Sequence, residues 1–307
     1  MARFDYLEPH TLRQALSMLQ QYGDQARIVA GCTDFLVRWR TGVWNPQYVI
    51  NLSHVPGLDS ISYSTRNGLR LGPLVTVQTL ERHPAVREHY PALASGATSF
   101  AGVQIRNLAT VGGNVCNASP AGDILPALLA FETQCKIVGP EGEHWVALDK
   151  FFKGPGITAV QCGEILTEFR LPRPARNSGS LYIKHSPRGS MDISAVGVAS
   201  VVSLRDRGRV CDNVKITLGA VAPTPIRAYG AEELLRGQTI TPELIQVVAQ
   251  EAQNIAKPID DVRATGAYRK AVVRALVQRT LEKSIEMAQG TEIPFEVQRR
   301  LAIQIAF

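Results

Sequence analysis

The stretch RIVAGCTDFL, residues 27–36, decides how the first part of the chain folds. Residues 28–30 form a short apolar run of the strand type, and Gly31 interrupts that run. Either Thr33 or Asp34 is placed to cap the helix that follows. The stretch therefore predicts a strand, a glycine turn and a helix in that order.

A small α/β unit surrounds this stretch. Residues 11–21 place apolar side chains on one helical face, and Gly23 follows them as a C-terminal stop. Residues 48–51 predict a second strand. We therefore assign residues 1–55 to a first unit of helix, strand, helix and strand.

A second unit, residues 56–174, begins with a predicted hairpin. Two alternating runs between residues 58 and 72 are joined by Asn67 and Gly68, a pair suited to a two-residue turn. Further helices are predicted at 77–82, 92–100 and 123–131, strands at 133–138, 144–147 and 165–171, and a glycine-rich and asparagine-rich loop at 112–122.

A linker separates the second unit from the rest of the chain. Pro172, Pro174 and residues 177–179 make it the clearest linker in the sequence. Beyond it, strands are predicted at 180–185, 195–204 and 214–221, and helices at 231–236, 242–256 and 264–288. We place a third unit at residues 178–288 and expect residues 289–307 to be an irregular tail or a partner-contacting extension.

Composition limits the functions that the chain can have. Its net charge is +6, but basic and acidic residues alternate along most of the 307 residues, which disfavours nucleic-acid binding. The first thirty residues contain Arg3, Asp5, Glu8 and Arg13, unlike a signal peptide, and no later run is apolar enough for a membrane span. We therefore expect a cytoplasmic protein.

The cysteines and histidines show no metal-binding spacing. The cysteines are scattered, so most are expected to be reduced and buried, and an iron–sulfur cluster within this chain is not expected. They are Cys32, Cys116, Cys135, Cys162 and Cys211. We expect no metal in this chain.

Two glycine turns could hold a phosphate group. They are residues 30–34 and 110–114, where glycine lets the backbone approach an anion and exposed N–H groups can donate to it. Neither turn has the spacing of a Rossmann unit or the lysine of a P-loop. The residue patterns alone therefore indicate only a possible phosphate binder.

Several ordered stretches carry a more specific resemblance. They are AGCTDFL (30–36), FAGVQIRNLATVGGNVCNASPAGDILPALLAF (100–131), FFKGPGIT (151–158), GEIL (163–166), YIKHSPRGSMDIS (182–194) and APTPIRA (222–228). Together they resemble the flavin subunit of xanthine dehydrogenases, carbon monoxide dehydrogenase and related molybdenum hydroxylases, with its PCMH-type FAD-binding domain. The resemblance covers residues 1–285.

The resemblance implies an α+β fold. A two-part FAD-binding domain would consist of a small α/β lobe, residues 1–55, and an antiparallel-sheet lobe with helices, residues 56–174. A C-terminal domain, residues 178–288, would combine a three-stranded antiparallel sheet with a helical bundle, and residues 289–307 would follow as a tail.

The resemblance also implies noncovalent FAD held by two loops. Residues 27–34 match the family's first pyrophosphate loop, and residues 109–114 match its second. The implied cofactor-binding residues are Arg27, Ile28, Val29, Ala30, Gly31, Cys32, Thr33, Asp34, Phe100, Ala109, Thr110, Val111, Gly112, Gly113, Asn114, Ser119, Asp123, Ile165 and Lys184. Phe100 is expected at the flavin, and no residue is given a catalytic role.

Ordinary structural roles compete with some of these assignments. Asp123 could simply cap the helix that follows it, Lys184 could be a surface charge, and Phe100 could belong to the core. Cys32 stands where the family usually has a second glycine, so we expect its φ to lie in an ordinary region. A redox-active thiol beside the flavin is the functional alternative for Cys32.

In function, the resemblance implies an electron-transfer subunit. A large partner would hold the molybdenum cofactor and a small partner the [2Fe–2S] clusters, in a dimer of heterotrimers, and this chain would pass electrons to NAD or a quinone. Lys184 and Arg188 could receive an anionic acceptor such as NAD. The substrate stays open among purines, N-heterocycles and carbon monoxide.

Two other functions remain in competition. A stand-alone flavin oxidoreductase would need a base beside the flavin, and the sequence offers no candidate for it. A scaffold that has lost its flavin would have no reason to keep both glycine turns.

Overall fold

The computed structural model describes residues 3–305. Within that range the strands form a three-stranded sheet, two five-stranded sheets and a two-stranded ribbon. The α+β class is confirmed.

The N-terminal lobe is a parallel sheet with two helices. Its elements are β1 (Asp5–Leu7), α1 (Leu12–Tyr22), β2 (Ala26–Val29), α2 (Phe35–Arg40) and β3 (Tyr48–Asn51), with the strand order β1-β3-β2. Thr11 begins α1 by accepting a hydrogen bond from the N–H of Gln14 at 3.1 Å, and Gly23 ends it with a φ of 50°.

The second lobe combines an antiparallel sheet with helices, two of which are completely buried. Its helices are α3 (Val77–Arg82), α4 (Pro84–His89), α5 (Pro91–Ser99), α6 (Val103–Leu108), α7 (Val111–Asn117), α8 (Leu125–Ala130) and α9 (Leu148–Phe151). Its strands are β4 (Ile61–Ser64), β5 (Gly68–Leu71), β6 (Gln134–Gly139), β7 (Gly142–Ala147), β8 (Phe152–Gly154), β9 (Ile157–Thr158) and β10 (Ile165–Leu171). The sheet has the order β4-β5-β10-β6-β7. Because α5 and α8 are buried along their whole length, they form the centre of this lobe's core.

The C-terminal part is a second antiparallel sheet covered by helices. Its elements are β11 (Ser178–Ser186), β12 (Val196–Arg205), β13 (Val210–Gly219), β14 (Ile226–Arg227), α10 (Tyr229–Leu235), α11 (Pro242–Ile255), α12 (Gly266–Ala288), α13 (Phe295–Leu301) and β15 (Ile303–Ile305). The order is β14-β13-β12-β11-β15. Gly179 lets α12 lie directly on β11, since a Cβ there would be 2.1 Å from the carbonyl oxygen of Ser284.

Most of the predicted elements are confirmed, and three have the predicted bounds: β3, α3 and β10. The hairpin is also present, but its turn was predicted wrongly. Ser64 pairs with Gly68, so residues 65–67 form a three-residue turn, and Gly68 takes a φ of 75°. This is the three-residue hairpin that ends on a left-handed glycine.

Two further predictions were wrong. Residues 112–117 of the expected loop belong to α7, because the Thr110 side chain accepts a hydrogen bond from the N–H of Gly113 at 3.0 Å and starts the helix. Residues 295–305 of the expected irregular tail form α13 and β15. The predicted three-stranded sheet is the centre of five strands, with β14 and β15 at its edges.

No helix within residues 3–305 has both the length and the apolar character needed to cross a bilayer.

Candidate functional site

A cleft of about 640 Å³ lies between the N-terminal lobe and the second lobe. Its walls come from the first loop (residues 27–34), the second loop (residues 109–114) and a third segment, residues 156–166. The predicted site residues line this cleft, except Val111, Ser119, Asp123 and Lys184. Phe100 and Ile165, which are distant from the loops in sequence, are among those that line it.

The first loop leaves the carboxyl end of β2 and presents free backbone donors. Within residues 3–305, the N–H groups of residues 31–34 donate to no other protein group. Asp34 was one predicted cap of α2, but its backbone is already helical, with a φ of −92°, and its side chain makes no capping bond. A side-chain cap usually needs an extended backbone, so Asp34 does not cap α2 in this way.

Gly31 joins the first loop to the second. A Cβ at this position would lie 1.8 Å from the carbonyl oxygen of Leu108 and 3.1 Å from the Cα of Ala109. Those distances leave no room for a side chain. Glycine is therefore needed here because two backbone segments touch, a reason that differs from the expected close approach to a phosphate.

The expectation for Cys32 was wrong. Its φ is 59°, in the left-handed region. Glycine, which the family usually has at this position, adopts that region without a steric penalty. Its thiol donates to the carbonyl oxygen of Ala30 at 3.4 Å, and partial burial raises the pKa of that thiol. A raised pKa keeps the group as a thiol, which disfavours a redox-active role.

Substitution of Cys32 should therefore depend on backbone preference. Cys32→Gly should change the free energy of unfolding by less than about 1 kcal/mol, because relief of the left-handed strain is offset by extra freedom of the unfolded chain. Cys32→Val should be destabilised by about 2 kcal/mol, because a β-branched residue is poorly accommodated there. Chemical denaturation of both variants measures the difference, and equal stabilities would contradict it.

Both glycines of the second loop line the cleft, but only Gly113 is exposed. Gly112 packs on Pro73, where a Cβ would lie 2.4 Å from the proline Cβ. Gly113 is exposed on the cleft wall. Beside it Asn114 is buried, and its Oδ1 atom has no hydrogen-bond partner among the described residues. The second loop therefore allows a ligand to approach the backbone closely at Gly113, whereas the Asn114 oxygen stays buried.

Two side chains that the sequence analysis did not predict, Arg38 and Trp44, lie beside the first loop together with the predicted Arg27. Arg38 lines the cleft and donates from Nη2 to Oδ1 of Asn117 at 2.9 Å, which connects α2 with the end of α7. The guanidinium of Arg38 lies 4.5 Å from the ring centre of Trp44, and that of Arg27 lies 5.3 Å from it. In the sequence, the only sign that Arg38 faces the site was its position one helical turn after Asp34, the last residue of the first loop.

The backbone around Phe100 is fixed by a buried arginine. Arg106 donates from Nη1 to the carbonyl oxygens of Thr98, Phe100 and Ala101, at 3.3, 3.1 and 2.9 Å. Its Nε lies 3.0 Å from a carboxylate oxygen of Glu81, and both side chains are buried. Phe100 itself is half-buried and packs against the core while it lines the cleft.

Lys184 is completely buried and pairs with Asp123. Its Nζ lies 2.8 Å from Oδ2 of Asp123 and also donates, at 3.1 Å each, to the carbonyl oxygens of Ser99 and Ser190. The reading of Lys184 as a surface charge was therefore wrong. The suggestion that Lys184 receives NAD was also wrong, because all of its donors are directed to buried protein oxygens.

Asp123 receives two more hydrogen bonds. Tyr182 donates to its Oδ1 at 3.0 Å, and Ser194 donates to the same atom at 2.5 Å. Burial raises the pKa of Asp123, and Lys184 acts against that rise by favouring the charged form. The helix-cap reading was wrong, since α8 begins after Ile124 and the carboxylate of Asp123 points to the C-terminal part.

The site therefore has two layers. Residues of the two loops, Phe100 and Ile165 line the cleft, whereas Asp123 and Lys184 lie outside that lining and hold Ser99, the neighbour of Phe100. Val111 is buried, and Ser119 makes a bond to the N–H of Ala121 at 3.4 Å.

The free N–H groups of the first loop and the nearby guanidinium groups form a donor set that suits a diphosphate. Fold and cleft together define a two-domain protein with a site for a dinucleotide cofactor. Residues 2–174 match the family model described as the FAD binding domain in molybdopterin dehydrogenase, and residues 182–284 match the CO dehydrogenase flavoprotein C-terminal domain. The chain belongs to the FAD-binding medium subunits of the molybdenum hydroxylase family, so it is an oxidoreductase subunit and FAD is its cofactor.

Relatives in sequence and structure agree with this assignment. A putative xanthine dehydrogenase FAD-binding subunit of Escherichia coli (strain K12) is 30% identical over 94% of this chain and 99% of that protein. The structure of carbon monoxide dehydrogenase from Hydrogenophaga pseudoflava has a TM-score of 0.88 at 30% identity, covering 94% of this chain and 98% of the other. For quinoline 2-oxidoreductase from Pseudomonas putida 86 the TM-score is 0.86 at 26% identity, over 94% and 98% of the two chains.

Proposed function

We propose that this chain binds FAD in the cleft and acts as the electron-transfer subunit of a multi-subunit molybdenum hydroxylase. It receives electrons from [2Fe–2S] clusters of a small partner, and it delivers them to an external acceptor such as NAD or a quinone. A large partner holds the molybdenum cofactor. Bound FAD supplies a group that can accept single electrons and release a pair.

One observation carries the proposal: the two glycine loops meet at Gly31 on the same cleft, and within residues 3–305 the first loop leaves the N–H groups of residues 31–34 unpaired. We assign the diphosphate to the N–H groups of residues 31–34 and to the second loop. Such fixed donors are already oriented before the anion arrives, so binding needs little reorganisation.

The remaining predicted residues divide by their place in the site. Phe100 and Ile165 offer apolar contacts from the cleft wall, and Arg38 offers a positive charge near the first loop. Asp123 and Lys184 act through the residues that they hold, since their charged atoms are paired with each other. We therefore propose that they position the site rather than contact the cofactor directly.

Cysteine labelling tests whether FAD occupies this cleft. Cys162 is exposed and lines the cleft, so it should react with N-ethylmaleimide in the FAD-free protein and become protected when FAD is added. Cys135 and Cys211 are completely buried and should stay unlabelled under both conditions. Mass spectrometry of the peptides gives the extent of labelling at each position.

A matched control separates local protection from a general change in the protein. Ser62→Cys places a thiol on the exposed face of β4, which does not line the cleft. Its labelling should be the same with and without FAD. If Cys162 is labelled equally in both states although FAD is bound, the cofactor does not lie against residues 156–166 and the proposed site is wrong.

The acceptor needs a separate kinetic test on the whole complex. The chain should be produced with its partner subunits, reduced by substrate and mixed with NAD, a quinone or oxygen in a stopped-flow instrument. Reoxidation of the flavin absorbance by NAD or a quinone is the expected result. An active single chain that needs no partner would instead indicate a stand-alone flavin oxidoreductase.

A further inference from the structure

The C-terminal segment, residues 289–305, lies beyond the part of the chain that the family models match. The second model ends at residue 284, while the chain continues through the end of α12 into α13 and β15. This segment turns back across the molecule and reaches the edge of the C-terminal sheet. At that edge the segment contacts residues that also support the flavin site.

The main contact is made by Ala302, which is completely buried. Its carbonyl oxygen accepts a hydrogen bond from the backbone N–H of Lys184 at 2.8 Å and from the hydroxyl of Ser99 at 3.2 Å. β15 then runs parallel to β11, with Ile303 opposite Lys184. One carbonyl group thus joins Lys184 to the end of α5, next to Phe100.

An anchor in α13 holds this strand in place. The guanidinium of Arg87 lies 4.1 Å from the ring centre of Phe295, and that ring packs against the core of the second lobe. Within the segment, the side chain of Gln298 donates from Nε2 to the carbonyl oxygen of Ile293 at 2.6 Å. The main-chain carbonyl oxygen of Gln298 accepts a hydrogen bond from the N–H of Ala302 at 2.8 Å. The segment therefore has an ordered path from α12 to β11.

We propose that the C-terminal segment is a positioning strap for the FAD site. It covers the edge of β11, keeps the backbone of Lys184 beside Ser99, and so keeps the buried ammonium group on Asp123 and on the loop carbonyl of Ser190. The inference rests on the proposed function, because the end of α5, which Lys184 and Ala302 hold through Ser99, leads directly to Phe100 on the wall of the proposed FAD cleft.

The physical reason is that β11 would otherwise end the sheet. An uncovered edge strand exposes unpaired backbone groups and frays more readily than a paired one. Lys184 sits on that edge, and its buried charge tolerates little displacement from Asp123. Pairing with β15 satisfies the backbone groups of β11 at Lys184. It therefore prevents fraying at the position where fraying would disturb the site most.

Truncation tests the strap directly. A chain that ends at Gly290 should release FAD about tenfold faster than the full chain, since the hydrogen bonds to Ala302 and the edge pairing are lost. Hydrogen–deuterium exchange should rise at residues 184–191 and stay unchanged at 198–202 in the sheet centre. A synthetic peptide of residues 289–307, added to the truncated chain, should restore both values.

A point variant covers the case in which truncation prevents folding. Phe295→Ala removes the anchor and should give a smaller change of the same kind, about threefold in FAD release. Val297→Ala lies in the same helix with an exposed side chain and should behave as the wild type. The strap is rejected if the truncated chain or Phe295→Ala keeps the wild-type release rate and exchange pattern.

The proposed function can fail separately from the strap. If the wild type does not bind FAD, the assignment of the cleft is wrong. The exchange experiment still decides the strap in that case, because it measures β11 without any cofactor.

Discussion

Gly31→Ala should weaken FAD binding about 100-fold. The added Cβ would lie 1.8 Å from the carbonyl oxygen of Leu108, and side-chain carbons essentially never approach closer than 3.0 Å. The two loops must therefore separate by more than an ångström, a displacement that is enough to cost about two orders of magnitude in a preorganised site. Fluorescence titration of the FAD-free protein measures the change.

The same substitution at a roomier glycine provides the control. At Gly154 the nearest atom to an added Cβ is the Ile157 Cδ1 at 3.7 Å, an ordinary contact, so Gly154→Ala should bind FAD almost normally. Gly31→Ala should also lose about 1–3 kcal/mol of stability through overpacking. Wild-type affinity in Gly31→Ala would show that the contact between the loops is unimportant for the cofactor.

Lys184→Met should lower the free energy of unfolding by about 3–5 kcal/mol, because it leaves the carboxylate of Asp123 buried without its partner. Replacing Asp123 by asparagine in the same chain removes the unpaired charge and should recover part of the loss. Urea denaturation of the wild type, the two single variants and the double variant gives the coupling free energy. Additive effects would contradict the pairing.

The loss in Lys184→Met should depend on pH in a known direction. Burial raises the pKa of Asp123 in the folded protein, and removal of Lys184 takes away the interaction that opposes this rise. A raised folded-state pKa means that the folded protein binds the proton more tightly than the unfolded chain does. The deficit is therefore largest at high pH and shrinks as the pH falls toward the pKa of the unfolded carboxyl group. A deficit equal at about pH 5 and about pH 8 would exclude this cause.

Local patterns were enough to predict elements whose causes are local. The strand at 48–51 and the helix at 77–82 follow from apolar runs and a capping threonine, and both are where the sequence predicts them. The helix at 111–117 was missed because glycine and asparagine have low helix propensity. Its stability comes from the Thr110 cap and from burial, which depends on neighbours distant in sequence.

The candidate site could be predicted only in part for the same reason. The loops were recognised from their residues, but the need for Gly31 lies in Leu108, and nothing in either stretch shows that they touch. Lys184 was predicted to contact the cofactor, with a surface charge as the alternative; its complete burial depends on Asp123, a partner 61 positions earlier that no local pattern indicates. The left-handed backbone of Cys32 was missed because its residue type argued against it.

The charge network also limits how this subunit could be recombined with its relatives. Asp123 lies before the linker, whereas Tyr182, Lys184 and Ser194 lie after it, although the linker is where a chimera would naturally be joined. A fusion that takes the two halves from different parents must match the acid in one with its donors in the other. Exchange between genes at this junction would therefore give a stable protein only when the two parents share that set.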